Sequence, residues 1–167
     1  AIMPVHLYGQ MAPMAELEAL AGEHTLHILE DAAQSQGAAQ DGRSAGSIGS
    51  IGATSFYPGK NLGAYGEGGA LVTDDAGLAA KVRMLRDWGL DSNRQHAVKG
   101  YNYRMDGIQG AILRVKLRHL PVWNDARRRI AATYDRLLEG TAVTTPTVLS
   151  HGTHVYHLYA VRTPRRD

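Results

Sequence analysis

Three side chains in this chain could do chemistry together: Asp31, Ser55 and Lys60. A lysine amine, once deprotonated by desolvation or a neighbouring cation, attacks carbonyl groups. A carboxylate keeps a nearby cationic nitrogen in its charged form. A hydroxyl, with backbone N–H groups beside it, holds phosphate. Ser55 lies five positions before Lys60, and Asp31 lies 29 positions before it. Taken singly, each also has an ordinary reading. Lys60 after Pro58-Gly59 reads as a surface loop residue, Asp31 as a helix cap, and Ser55 as a strand or turn hydroxyl. Asp31, however, follows an apolar strand candidate at residues 26–29, where folding itself asks for no acid.

The elements that would carry these residues are legible in the hydrophobic pattern. Residues 2–7, 26–29, 53–57 and 70–73 are strand candidates. Pro13 suits a first helical position, Met14, Leu17, Leu20 and Ala21 share a helical face, and Gly22 can end that helix. Residues 37–52 form a Gly- and Ser-rich loop. Asp74 or Asp75 can cap a helix with Leu78, Val82 and Leu85 on one face, closed near Gly89. Residues 91–99 read as a polar surface loop. Asp106 can cap a helix carrying Ile108, Ala111, Ile112 and Val115, and Pro121 ends or kinks it. Asn124 is read as the cap of a further helix with Ile130, Tyr134 and Leu137, ended by Gly140. Residues 155–161 alternate like a half-buried strand.

Strand–helix–strand alternation predicts an α/β layer with mostly parallel strands, and such sheets bind ligands at the carboxyl ends of strands. Asp31 and Lys60 each follow a strand candidate, so both are expected on that face. The character changes past Pro121, which divides the chain into residues 1–120 and residues 121–167.

Composition narrows the function classes. The net charge of +2 is too small for a surface built to hold nucleic acid, so no nucleic-acid partner is expected. No apolar run approaches the ~20 residues of a membrane helix, so no membrane partner is expected either. There is no Cys, which excludes disulfides and thiolate metal sites. With no signal peptide visible, a cytoplasmic protein is the default. The chain starts within one apolar run and stops just after another, so part of a longer protein is expected. The Gly-rich loops match neither nucleotide fingerprint. Gly59-Lys60 is followed by Asn61 instead of Ser or Thr, and Leu71 takes the third glycine position after Gly66 and Gly68. His151 and His154 have no third metal ligand at a sensible spacing and read as solvated loop histidines; no metal is expected. Arg127-Arg128-Arg129 reads as a solvated helix face.

Five segments, in order, make the reading specific. They are Glu30-Asp31-Ala32-Ala33-Gln34, Ser55-Phe56-Tyr57-Pro58-Gly59-Lys60-Asn61-Leu62-Gly63, Gly66-Glu67-Gly68-Gly69-Ala70, Gly100-Tyr101-Asn102-Tyr103-Arg104-Met105 and Val155-Tyr156-His157-Leu158-Tyr159. With His6-Leu7-Tyr8-Gly9-Gln10 upstream, they resemble the DegT/StrS family of nucleotide-sugar aminotransferases, which depend on pyridoxal 5'-phosphate. The resemblance implies the large-domain fold of aspartate-aminotransferase-like enzymes over residues 1–120 and the start of a smaller domain over residues 121–167. It implies that Lys60 forms the Schiff base with the cofactor and moves the proton of transamination. Asp31 would pair with the pyridine nitrogen, Gln34 would bond the ring-hydroxyl side, and Ser55 would bind the phosphate. Asn102 would reach the cofactor of a neighbouring subunit, which implies a homodimer with shared sites. Arg104 could touch substrate, and Tyr57 could line the pocket or equally belong to the core.

The substrates so implied are a nucleotide-linked keto-sugar, of the 3-keto-6-deoxy kind, and an amino-acid donor such as glutamate. Family members are about twice this length, so the segment is expected to hold half a cofactor site and, alone, neither to fold stably nor to catalyse. Three other readings compete: a non-catalytic, cofactor-binding regulator of the same fold, a sugar dehydratase of this scaffold, and a plain interaction module. Regulators can lose the lysine and the dehydratases replace it with His, so Lys60 favours the aminotransferase; the interaction module leaves the lysine loop unexplained.

Overall fold

A computed structural model describes residues 1–164. Helix α1 (Met14–Glu23) leads into strand β1 (Leu29–Asp31). A small hairpin, β2 (Ala39–Gln40) and β3 (Arg43–Ser44), precedes β4 (Ile51–Ser55) and β5 (Gly69–Val72). Helices α2 (Ala76–Arg86), α3 (Gly107–Leu117) and α4 (Leu120–Leu138) follow, and β6 (Gly152–Thr153) closes the order.

The main sheet runs β1-β4-β5. β1 and β4 are parallel, with Asp31 opposite Ala53. The first apolar run adds parallel bridges at Ile2–Ile28 and Val5–Asp31 without becoming a full strand. β5 is antiparallel to β4, with Ser55 opposite Gly69. The segment between β4 and β5 contains no helix to carry the chain back across the sheet, so β5 returns in the opposite direction. The α/β class stands, in a mixed sheet. The loop at residues 37–52 hides the β2–β3 hairpin, turned by Asp41-Gly42 at φ 50° and 76°. β6 pairs with the other edge of β2.

The helices follow the pattern with one correction, and the tail segment departs from it with another. The Asp75 carboxylate caps α2 by accepting from the Leu78 N–H at 2.9 Å, as its sequence signature predicts. Pro121 stands in the first turn of α4, so the break falls between α3 and α4. Asn124 is not a cap. It lies inside α4, buried, because its amide bonds two loops at once: Nδ2 donates to the Gln36 carbonyl and Oδ1 accepts from Asn61. Residues 155–161 form no strand. Tyr156 has φ 44°, which ends any extended run, and the segment is held by the loop at Tyr8-Gly9 instead.

Two apolar clusters pack the chain. Met11, Met14, Ala21, Ile28, Ala38 and Val155 join α1 to the start of the sheet. Leu62, Ala64, Leu113 and Leu120 join the loop after β4 to α3 and α4. α4 uses Leu120, Asn124 and Ala131 for burial and leaves Ile130, Tyr134 and Leu137 exposed.

Candidate active site

Asp31 and Ser55 end neighbouring strands. Ser55 is the last residue of β4, and Asp31 is the last residue of the parallel β1. The backbone of Asp31 is fixed from the first apolar run: its N–H donates to the Pro4 carbonyl and its carbonyl accepts from the His6 N–H, both at 2.9 Å. One carboxylate oxygen, Oδ1, accepts from the Ala33 N–H at 3.0 Å. The other takes no hydrogen bond among the described residues. Ser55 Oγ accepts from the Tyr57 N–H at 3.2 Å, which leaves its own O–H to donate elsewhere. The Ser55 carbonyl is held by Gln36 Nε2 at 2.5 Å.

Lys60 sits in the loop that leaves β4. Its backbone N–H donates to the Tyr57 carbonyl at 2.9 Å. The loop folds back tightly: a Cβ on Gly63 would lie 2.4 Å from the Pro58 carbonyl oxygen, so only glycine allows this approach. Leu62 and Ala64 then anchor the loop in the second apolar cluster. Gln34 follows β1 in a turn, and its Oε1 accepts from the Tyr8 N–H at 2.6 Å. Its amide NH2 remains available to a partner.

These four residues thus arise from two adjacent strand ends and the loops just beyond them. Asn102 does not join them. It pairs with Asp87 at the end of α2, is exposed, and makes no hydrogen bond to the other four among the described residues. Arg104 binds Asp87 at 2.5 Å in the same region. Tyr57 is exposed, not core.

Several residues of the site escaped the sequence reading. Glu30 and His6 are both fully buried and bonded at 2.8 Å. Burial pushes the Glu30 carboxyl up, but hydrogen bonds from His6 and the N–H groups of Gly49, Gly46 and Ile48 together hold it below the usual carboxylate value. Its ionised oxygens therefore tie the loop at residues 46–49 to β1, one residue from Asp31. The signal was present: a charged residue interrupting an apolar strand needs a partner. The tail segment was also misread. His154 is buried and stacks on Tyr156 with ring centroids 4.0 Å apart, and burial depresses its pKa to about 4. Arg127 is not a solvated charge, since Nη1 donates to the Tyr156 carbonyl at 3.0 Å.

Chemically, the cluster offers a carboxylate oxygen for a cationic nitrogen, a hydroxyl and an amide for anionic or polar oxygens, and a primary amine for a carbonyl. A ligand carrying a basic ring nitrogen, a phosphate and an aldehyde fits that donor set.

The chain belongs to the DegT/DnrJ/EryC1/StrS aminotransferase family, which it matches over residues 1–167. It is 49% identical, over its whole length, to a dTDP-3-amino-3,4,6-trideoxy-alpha-D-glucose transaminase of Streptomyces venezuelae, and it covers 44% of that protein. It is equally similar, at 49%, to a pleiotropic regulatory protein of Geobacillus stearothermophilus, of which it covers 46%. The crystal structure of S. venezuelae DesV in complex with a ketimine intermediate superposes with a TM-score of 0.94 at 49% identity, over 98% of this chain and 44% of that one. The chain therefore spans less than half the length of these relatives. No helix among the described residues is long and apolar enough to cross a membrane.

Proposed function

We propose that the protein carrying this chain is a pyridoxal-phosphate-dependent aminotransferase. It would move an amino group from an amino acid such as glutamate to a nucleotide-linked 3-keto-6-deoxy sugar. One juxtaposition carries the reading: Asp31 and Ser55 close adjacent parallel strands, and Lys60 occupies the glycine-folded loop directly after them. The Streptomyces relative, named for a 3-amino sugar, supports the position of the new amine.

Pyridoxal phosphate, when bound, supplies a carbonyl for amine exchange and a protonated ring that draws electrons from the reacting carbon. The chain's own residues do the rest. The unbonded carboxylate oxygen of Asp31 would hold the ring nitrogen's proton in place. The Ser55 O–H would donate to a phosphate oxygen, and the Gln34 amide to the ring hydroxyl. The Lys60 amine would take a proton at one carbon and return it at another. Asn102, apart from this group in the single chain, would serve a neighbouring subunit's cofactor, which requires a homodimer. A cytoplasmic location, and a division into a cofactor-binding part (residues 1–120) and the start of a smaller domain (residues 121–167), belong to the same proposal.

The regulatory name of the Geobacillus relative favours a second reading, a cofactor-binding regulator. One experiment separates the two. The full-length protein with added pyridoxal phosphate should show a visible absorbance band that borohydride abolishes and that Lys60→Ala lacks. Glutamate and a nucleotide 3-keto-sugar should then yield a 3-amino sugar by NMR. No band removes the aminotransferase reading; a band without turnover on any keto-sugar favours the regulator.

A further inference from the structure

His157, on a segment hydrogen-bonded to the lysine loop, is a titratable residue that the proposed chemistry leaves unused. Its segment is wired to that loop. Asn61, next to Lys60, donates through Nδ2 to the Val155 carbonyl at 2.8 Å. On the other side, the Val155 N–H donates to the Gly9 carbonyl at 2.9 Å and the Leu158 N–H to the Tyr8 carbonyl at 3.2 Å. Tyr8 in turn is held by Gln34. The two backbones are pressed together, since a Cβ on Gly9 would meet the backbone nitrogens of Tyr156 and His157 at 2.8 Å each.

The pairing enforces unusual backbone on both sides. Tyr156 and Tyr8 both adopt left-handed conformations, at φ 44° and 60°, which side chains of this size rarely take. Such strain persists only where the surroundings over-determine it, and it clusters at functional sites. Here the strained turn presents the His157 imidazole.

Nδ1 of that imidazole is buried and makes no hydrogen bond among the described residues. A buried polar atom without a partner is costly, and its retention calls for a reason. The Lys60 amine, half-buried, also has no hydrogen bond or ion pair among the described residues. Burial and the charges of Lys60 and Arg127 all lower the pKa of His157, which keeps the ring neutral and a nitrogen lone pair available. Arg127 is already engaged, donating to the carbonyls of Tyr156 and His157. An unpartnered donor and an unpartnered acceptor therefore remain, on two segments joined by the Asn61–Val155 hydrogen bond.

We infer that His157 is a positioning residue for Lys60: its Nδ1 and the lysine amine, both unpartnered in the single chain, form a hydrogen bond in the assembled protein when that amine is not covalently engaged. This rests on the reading of Lys60 as the cofactor lysine. The contact would store the freed lysine within reach of the reacting carbon during the half of the cycle in which the cofactor carries the amino group.

The test uses the full-length protein without cofactor. Lys60 is acetylated with trace acetic anhydride and read by mass spectrometry against Lys81, Lys99 and Lys116 as internal references. His157→Leu should raise Lys60 acetylation on the order of tenfold, the factor expected for losing one hydrogen bond to a charged group. His157→Asn places an amide near the Nδ1 position and should restore the slow rate; His157→Gln, which reaches only the Nε2 position, should not. If the leucine variant does not fold, the Asn and Gln variants decide. With cofactor, kcat for transamination should fall in His157→Leu and His157→Gln and stay near the wild-type value in His157→Asn, with little change in KM. Equal Lys60 acetylation in wild type and His157→Leu, or equal behaviour of Asn and Gln, overturns the inference. Because acetylation needs neither cofactor nor turnover, a protein that never transaminates but shows the Asn–Gln difference overturns the aminotransferase reading and leaves this contact standing.

Discussion

The substitution Glu30→Gln tests whether a buried charge one residue from Asp31 holds the site's framework. The Glu30 carboxylate accepts four hydrogen bonds. Oε1 takes the N–H groups of Ile48 and Gly49, both at 2.6 Å. Oε2 takes the Gly46 N–H and His6 Nε2, both at 2.8 Å. His6 Nδ1 accepts from the Ala12 N–H at 3.2 Å, which assigns the ring proton to Nε2 as a donor. All four partners are thus donors. A glutamine amide keeps one acceptor oxygen and turns an NH2 toward two of them. Two hydrogen bonds to a charged group are lost, at about 1.5–3 kcal/mol each. A loss of about 3–5 kcal/mol is expected, a large part of the roughly 5–15 kcal/mol that holds a domain together. Urea unfolding of the full-length protein measures it. Glu18→Gln is the control: it removes an ion pair with Arg43 that stands largely in solvent, and should cost under about 1 kcal/mol. The two variants should also differ in acid. The Glu30 pKa is lowered on folding, so its contribution is complete above the ordinary carboxylate range and is lost as pH falls through the depressed value. Glu30→Gln should abolish that acid limb. Equal, small losses for the two variants would refute the reasoning.

Two further outcomes follow from the geometry. Gly63→Ala would force a Cβ to within 2.4 Å of the Pro58 carbonyl, so the Lys60 loop must open; a stability loss of about 1–3 kcal/mol and a weakened cofactor absorbance are expected, and an unchanged spectrum would contradict the tight loop. His154 has its pKa depressed by burial from 6.5 to about 4, so the unfolded chain binds its proton first. Stability should be complete above pH 6.5 and fall by up to roughly 3 kcal/mol as pH drops toward 4. His154→Phe should flatten that slope in denaturant melts at successive pH values; a slope that persists would show that another group causes it.

Local pattern alone located most elements, because periodicity, caps and breakers are properties of neighbouring residues. The Asp75 cap and the helical face of Leu78, Val82 and Leu85 follow from side chains a few positions apart. So did the family, because motif order and spacing survive in the sequence itself. Tertiary structure decided what depends on distant partners. Asn124 has the residue type of a cap, but Asn61 and Gln36, brought up from far earlier in the chain, place it inside a helix. Residues 155–161 alternate like a strand, yet the backbone of Tyr8 and Gly9 takes their hydrogen bonds and bends them. β5 runs antiparallel because the path from β4 includes no crossover helix, which composition does not state. The same holds for chemistry. Residue types nominated Asp31, Ser55 and Lys60, but only parallel pairing set two of them at adjacent strand ends beside the loop of the third. Glu30 and His6 show the physical reason most directly. A buried charge is tolerable only when donors from several segments converge on it, and convergence is a property of the fold.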